Sequence, residues 1–165
     1  MQAPLAVFDI DGTLTDSVRA HQAAFEAALR SFEFPALRTD WGGYKHHSDS
    51  AILAEAWEEA GWDGDADLAR LEAEYAWRYD DRIRSAPFSE IPGARRFVEH
   101  LRTTGWTIVF ATGSLRHGAL HKLSIIGIDG EKEILVSASE FQTREAIVGG
   151  AVKLACKTAG QDAAG

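Results

Sequence analysis

Two aspartates one residue apart close an apolar run near the start of the chain. In AVFDIDGTLTDS, residues 6–17, the hydrophobic stretch ends in Asp9 and Asp11. Ala6, Val7 and Phe8 have the character of a buried strand, and Gly12 supplies a turn. On a period of two, both carboxylates point the same way at the strand's C-terminal lip, where each raises the other's pKa unless a cation or a shared proton relieves them. Such a pair costs stability and can act as a nucleophile or as general acid and base, which marks it as a candidate site. A second run repeats the design. In TIVFATGS, residues 107–114, apolar residues give way to Thr112, Gly113 and Ser114, and hydroxyls with a glycine at a strand end suit an oxyanion. Taken alone, that run is an ordinary strand-to-helix turn with Ser114 as the helix cap; the carboxylate pair tips the reading toward a site.

The elements that must position these ends follow from the apolar spacing. Val18, Phe25, Ala28, Leu29 and Phe32 recur at helical intervals between Asp16 and Phe34, and Pro35 enforces a stop. Ile52, Leu53, Ala56, Trp57 and Ala60 mark a second helix closed by Gly61. Leu68, Leu71, Tyr75, Tyr79 and Ile83 mark a third, with Asp65 as its N-cap. Residues 16–86 are therefore helix and loop. Beyond Pro87 the two patterns alternate: a helix led by Pro92 and Gly93, a strand in WTIVFATGS, a helix around 115–126, a short strand in EILVSAS, and a helix over 143–159. This alternation predicts an α/β fold with a parallel sheet, built from residues 1–15 and 87–165 and interrupted by a helical insertion over the carboxylates. The last segment, TAGQDAAG, is expected to fray.

The balance of 17 basic against 25 acidic residues gives a formal charge of −8, which repels nucleic-acid phosphates and anionic lipid over most of the surface. A phosphate-bearing small molecule then needs a local positive pocket. The single cysteine, Cys156, excludes an internal disulfide and fits a reducing compartment, and its place in an apolar-periodic segment reads as a buried, inert thiol. No signal pattern opens the sequence and no apolar stretch approaches about 18 residues, so a cytoplasmic protein without membrane or nucleic-acid partners is expected.

DIDGTLTD resembles the D-x-D-G-T signature of the haloacid dehalogenase-like hydrolase superfamily, and FATGS is similar to its second motif. The helical segment between them resembles the α-helical cap of the superfamily's phosphoglycolate phosphatase and β-phosphoglucomutase-like branch. EIPGARRFVEHLRTTGWTIVFATGS looks like the linker, helix and strand by which such chains re-enter a Rossmann-like core, and the resemblance covers residues 5 to about 157. It implies that Asp9 attacks phosphorus and becomes an aspartyl phosphate, and that Asp11 protonates the leaving oxygen and then deprotonates water. It also implies a Mg²⁺ ion held by Asp9 and the backbone carbonyl of Asp11, with Thr112 and the Gly113 N–H holding the phosphoryl oxygens. The implied reaction is Mg²⁺-dependent hydrolysis of a small phosphorylated metabolite. A phosphomutase shares both aspartates and the cap, and a catalytically impaired binding protein is a third reading; a dehalogenase has no use for Asp11.

The sequence departs from the family pattern in two places. Where the third motif usually offers a lysine, TREAIVGG carries Arg144, either a donor of charge and paired hydrogen bonds to phosphate or a surface residue at a helix start beside Glu145. Lys122, Lys132 and Lys153 are the other basic candidates for that role, each expected in a helix or loop away from the strand ends. The fourth motif, an acidic G-D-x-x-x-D strand end that completes Mg²⁺ coordination, is missing, since the acids after Arg144 are Glu145 and Asp162. The expectation is a core incomplete at its C-terminal side, poor phosphatase activity, and self-association through an open sheet edge at residues 5–9. Substrate selection is assigned to the cap loop GGYKHHSDS, residues 42–50, through Lys45, His46 and Asp49, with helix capping as the alternative for Ser48 and Asp49. His46 and His47 are adjacent and lack a third ligand, so they are not read as a metal site. Trp57, Trp62, Trp77 and Trp106 read as packing residues.

Overall fold

A computed structural model describes residues 3–162. The chain runs β1 (Leu5–Phe8), α1 (Val18–Arg30), α2 (Asp49–Glu59), α3 (Leu68–Ser85), α4 (Ala94–Thr103), β2 (Thr107–Ala111), α5 (Arg116–Ile125), β3 (Leu135–Val136) and α6 (Arg144–Asp162). The strands form one parallel sheet in the order β1-β2-β3, with Phe8 opposite Phe110 and Phe110 opposite Leu135. Parallel pairing brings the C-terminal ends of β1 and β2 side by side, so Asp9 and Thr112 leave the sheet at the same lip. Alternate residues of β2 serve opposite faces. Ile108 and Phe110 pack with Val98, Ala119 and Leu123 of α4 and α5, while Val109 and Ala111 pack with Ile147, Ala151 and Ala155 of α6. β3 is shorter than EILVSAS predicts, because the Ser137 N–H and hydroxyl both turn to Glu140 Oε2 at 2.7 Å and take the chain out of the ladder.

Helices α1, α2 and α3 lie between β1 and the rest of the sheet in sequence and bury their own core around Phe25, Leu29, Leu53, Leu71, Tyr75 and Tyr79. Two boundaries differ from the sequence expectation. α1 stops at Arg30, short of Pro35: the Ser31 and Phe32 N–H groups fold back on the Ala28 and Leu29 carbonyls, and Glu33 adopts a left-handed φ of 59° that a helix cannot continue through. α3 is capped by Asp67, not Asp65, because only Asp67 stands three residues before a free helical N–H, that of Arg70, which it accepts at 3.0 Å. The segments leading into and out of these helices pair with each other. Asp16 N–H donates to Ser89 O and Ile91 N–H to Leu14 O, each at 2.9 Å, so both crossings are fixed at one place.

Cys156 is exposed, not buried: the inward stripe of α6 is Ile147, Ala151 and Ala155, and Cys156 falls one residue past it. Trp57 and Trp62 do pack against the helical core, but Trp77 is 57% exposed, its ring covered on one side by the Arg78 guanidinium. α6 continues to Asp162 through part of the segment expected to fray; residues 163–165 of that segment lie outside the described residues. Among the described residues, no helix is long and apolar enough to cross a membrane.

Candidate active site

Asp9 follows β1 directly. Its Oδ1 accepts the Ile10 N–H at 2.8 Å, and its Oδ2 lies 3.3 Å from Nη1 of Arg144, the first residue of α6. The guanidinium rests against Gly113, where a Cβ would come within 2.8 Å of Nε, so a side chain at 113 would push Arg144 off the site. Arg144 thus turns to the strand-end carboxylate and not to Glu145. Both partners are part-exposed, 49% for Arg144 and 39% for Asp9, so the pair places a charge without adding much stability.

Asp11 has a different environment. Ser17 Oγ donates to its Oδ1 at 2.6 Å, and Lys122 Nζ donates to its Oδ2 at 2.8 Å. The same ammonium reaches Ser114 Oγ at 3.1 Å, and Ser114 Oγ lies 3.0 Å from Thr112 Oγ1, so a polar chain links the two strand ends. Burial alone raises the Asp11 pKa. The Lys122 charge, a smaller contribution from His21, and the hydrogen bonds from Lys122 and Ser17 outweigh it and hold the carboxyl well below its ordinary value of 3.8. The expected repulsion between the carboxylates is therefore relieved by two cations, Arg144 for Asp9 and Lys122 for Asp11.

Lys122 corrects the sequence expectation most sharply, since it is fully buried in the site and not remote from the strand ends. The signal was present: Gly118, Ala119, Lys122 and Leu123 share the inward face of α5, and a lysine on an apolar stripe needs a buried counter-charge. Ser114 is likewise not the helix cap of its ordinary reading. The residue at that position is Leu115, and its N–H is taken by Asp49 Oδ2 at 2.9 Å, from the helical insertion.

Asp49 is 4% exposed and joins the insertion to the sheet. Its N–H donates to Gly113 O at 2.8 Å, and its Oδ1 lies 3.1 Å from His21 Nε2. His21 Nδ1 in turn lies 2.9 Å from the Tyr75 hydroxyl, which sits so close to Gly118 of α5 that any Cβ there would collide with it. Ser48 Oγ donates to Gln142 O and Ser50 Oγ to Phe141 O, the latter at 3.3 Å. Ser48 stands at the N-cap position of α2, but neither its side chain nor that of Asp49 bonds a helical N–H; both instead tie the helix start to the loops beyond β2 and β3. His21 was missed from sequence, although its place four residues before Phe25 put it on the inward face of α1.

A cavity of about 230 Å³ opens on Asp9, Asp11, Thr112, Gly113, Ser114 and Arg144, with His21, Gln22, Phe25, Trp41, His47 and Asp49 among the residues the helical insertion contributes. Of the three cap residues read from sequence, Asp49 lines this cavity and Lys45 and His46 do not; His47 does. The Lys45 N–H is engaged by Glu55 Oε2 at 2.9 Å, which turns that stretch toward α2. Among the described residues there is no group of three or more histidine, cysteine, aspartate or glutamate side chains that could hold a metal. The Asp11 carboxylate is occupied by Lys122 and Ser17; the oxygens left are the part-exposed Asp9 carboxylate, which a metal would share with the Ile10 N–H and Arg144, and the Asp11 main-chain carbonyl, on which no hydrogen bond falls among the described residues. Asp9 and Asp11 both line the cavity, and hard oxygens suit Mg²⁺, which keeps several waters and takes one or two protein carboxylates.

The fold has counterparts among known proteins. Residues 4–162 match the family of haloacid dehalogenase-like hydrolases. The chain belongs to that family. It is 31% identical over 141 residues to the tyrosine-protein kinase PtkA of Mycobacterium tuberculosis, an alignment covering 85% of this chain and 46% of PtkA. A hydrolase from Pseudomonas syringae superposes with a TM-score of 0.71 at 25% identity, covering 92% of this chain and 70% of that one. CbbY from Rhodobacter sphaeroides, solved in complex with phosphate, shares the fold with a TM-score of 0.59 at 14% identity, over 82% of this chain and 64% of CbbY. The haloacid dehalogenase-like chain thus spans about half the length of the curated relatives it matches.

Proposed function

We propose that this haloacid dehalogenase-like chain carries the site of a Mg²⁺-dependent phosphatase for a small phosphate monoester. The observation that carries the reading is the meeting of Asp9, part-exposed at a strand end, with Arg144 and the hydroxyl-lined 112–114 loop in one cavity. Asp9 attacks phosphorus, the ester P–O bond breaks, and the phosphoryl group rests on the carboxylate until water releases it. Thr112, the Gly113 N–H and Arg144 hold the phosphoryl oxygens. Asp11, kept ionised by Lys122, is suited to take the proton from the hydrolytic water; acting as an acid toward the leaving oxygen requires it to gain a proton first, which the Lys122 contact opposes. Asp9 and the Asp11 carbonyl would hold Mg²⁺, which screens carboxylate from phosphate when bound. The lone cysteine supports a reducing setting.

The test is phosphate release from a panel of phosphorylated metabolites with and without Mg²⁺. Turnover is expected with at least one small monoester, saturating only at high Mg²⁺ because few protein oxygens hold the ion, and ceasing when a chelator is added. Turnover unaffected by chelation, or no turnover of any monoester at high Mg²⁺, contradicts the proposal.

We also propose self-association of this chain through β1. Its outer edge is unpaired among the described residues, Val7 on it is 38% exposed, and Phe97, edge-on to Phe8 at 6.0 Å, is 53% exposed. Light scattering across a concentration series is expected to show dimers that Val7→Lys shifts toward monomer. A wild-type chain that stays monomeric throughout rules this out.

A further inference from the structure

We propose that the site selects a monoester whose leaving group is a flat, uncharged aromatic ring, an aryl phosphate, over a sugar bisphosphate. This rests on the phosphatase reading and adds the substrate class. The insertion side of the cavity carries a continuous run of rings. His21 and Phe25 stack at 5.9 Å with their planes 11° apart, Phe25 meets Trp41 at 5.6 Å, and all three line the cavity. Trp41 is held in turn by Tyr44, stacked at 6.2 Å with 20° between the planes. A wall braced from behind in this way offers a planar ligand a preformed surface for stacking.

Charge points the same way. Arg144 is the one lysine or arginine lining the cavity among the described residues, and it already faces Asp9. Lys122 lies behind Asp11 and does not line the cavity. What the insertion contributes in its place is the Asp49 carboxylate, buried and directed at His21 and Leu115. A second phosphate would lie beside the Asp49 carboxylate with no lysine or arginine left to receive it: of the two histidines that line the cavity, His21 is already engaged by Asp49 and the Tyr75 hydroxyl, and His47 Nε2 lies 3.0 Å from Tyr44 O. An uncharged ring meets neither penalty. In the reaction the aryl C–O bond stays intact and the P–O(aryl) bond breaks. The hydroxyl of water ends on phosphorus and its proton on the phenolic oxygen, giving inorganic phosphate and a phenol.

Calorimetric binding decides the matter independently of turnover, using phenylphosphonate, which cannot be hydrolysed, inorganic phosphate, and a hexose 1,6-bisphosphate. Phenylphosphonate is expected to bind about tenfold or more tightly than phosphate, and the bisphosphate no more tightly than phosphate. Trp41→Leu is expected to remove most of the phenylphosphonate advantage, while Trp41→Phe, which keeps a ring, retains most of it. Equal affinity for phenylphosphonate and phosphate, tighter binding of the bisphosphate, or an advantage that survives Trp41→Leu overturns the inference. If phenylphosphonate binds as expected but no monoester of any kind is hydrolysed, the phosphatase reading falls and the binding preference stands. If sugar bisphosphates are turned over with higher kcat/KM than phenyl phosphate, the preference falls and the phosphatase reading stands.

Discussion

Asp9→Asn is expected to reduce phosphate release by roughly three orders of magnitude or more, the loss that follows removal of a nucleophile acting within a coupled group. The change is isosteric. The asparagine carbonyl oxygen can still accept the Ile10 N–H, and the Arg144 contact it weakens lies between part-exposed groups. Stability should therefore change by less than about 1 kcal/mol. An amide oxygen does not displace an alcohol from phosphorus, so the defect should be in kcat with substrate still bound. Phosphate release measured beside a denaturation curve separates the two effects. Loss of both together would mean that Asp9 matters to the fold and not to the chemistry.

Asp11→Ala is expected to act on stability instead, lowering it by about 3–5 kcal/mol, because it strands a fully buried ammonium without its counter-charge. Lys122→Met should cost less: methionine fills the same channel, and Asp11, 16% exposed, keeps Ser17 and can take up a proton. The double variant Asp11→Ala with Lys122→Met should recover much of the loss of Asp11→Ala, a coupling that chemical denaturation of the four proteins measures directly. The pair also has a pH signature. Asp11 is held below its unfolded pKa, so its contribution is complete above about 3.8 and disappears as pH falls through the lower folded value. Wild-type stability should fall on strong acidification, and Lys122→Met should lose that part of the dependence. If the double variant is as unstable as Asp11→Ala, the Lys122–Asp11 contact is not what holds the site.

The parallel core, the helical insertion and the two strand ends were legible because each rests on a local pattern. Asp9 and Asp11 close an apolar run, Thr112 and Gly113 close another, and the helical stripes have one inward face each. Helix ends were less legible, since a left-handed Glu33 stops α1 where spacing alone ran on to Pro35. The cations exposed the limit of that kind of reading. Arg144 is indicated by the resemblance to the family's third motif, but Lys122 is expected away from the strand ends, and only the packing of α5 beneath them shows that it is not. The tie from Asp49 to Gly113, Leu115 and His21 spans separations of more than sixty residues in the first two cases and joins two layers, so no local pattern encodes it. Lys45 and His46 carried the more suggestive chemistry in the cap loop, yet the fold presents His47 and Trp41 to the cavity.

The most direct test of the account is to find where the phosphoryl group goes. The protein is mixed with Mg²⁺ and phenyl phosphate, or with whichever monoester the panel shows to be turned over, quenched in acid within the first turnovers, digested, and mapped by mass spectrometry. A phosphoryl group on Asp9, in the peptide that spans the end of β1, and absent from Asp9→Asn, is the predicted result. Phosphate release without any phosphorylated Asp9, undiminished in Asp9→Asn, would contradict the claim that this strand-end carboxylate performs the chemistry.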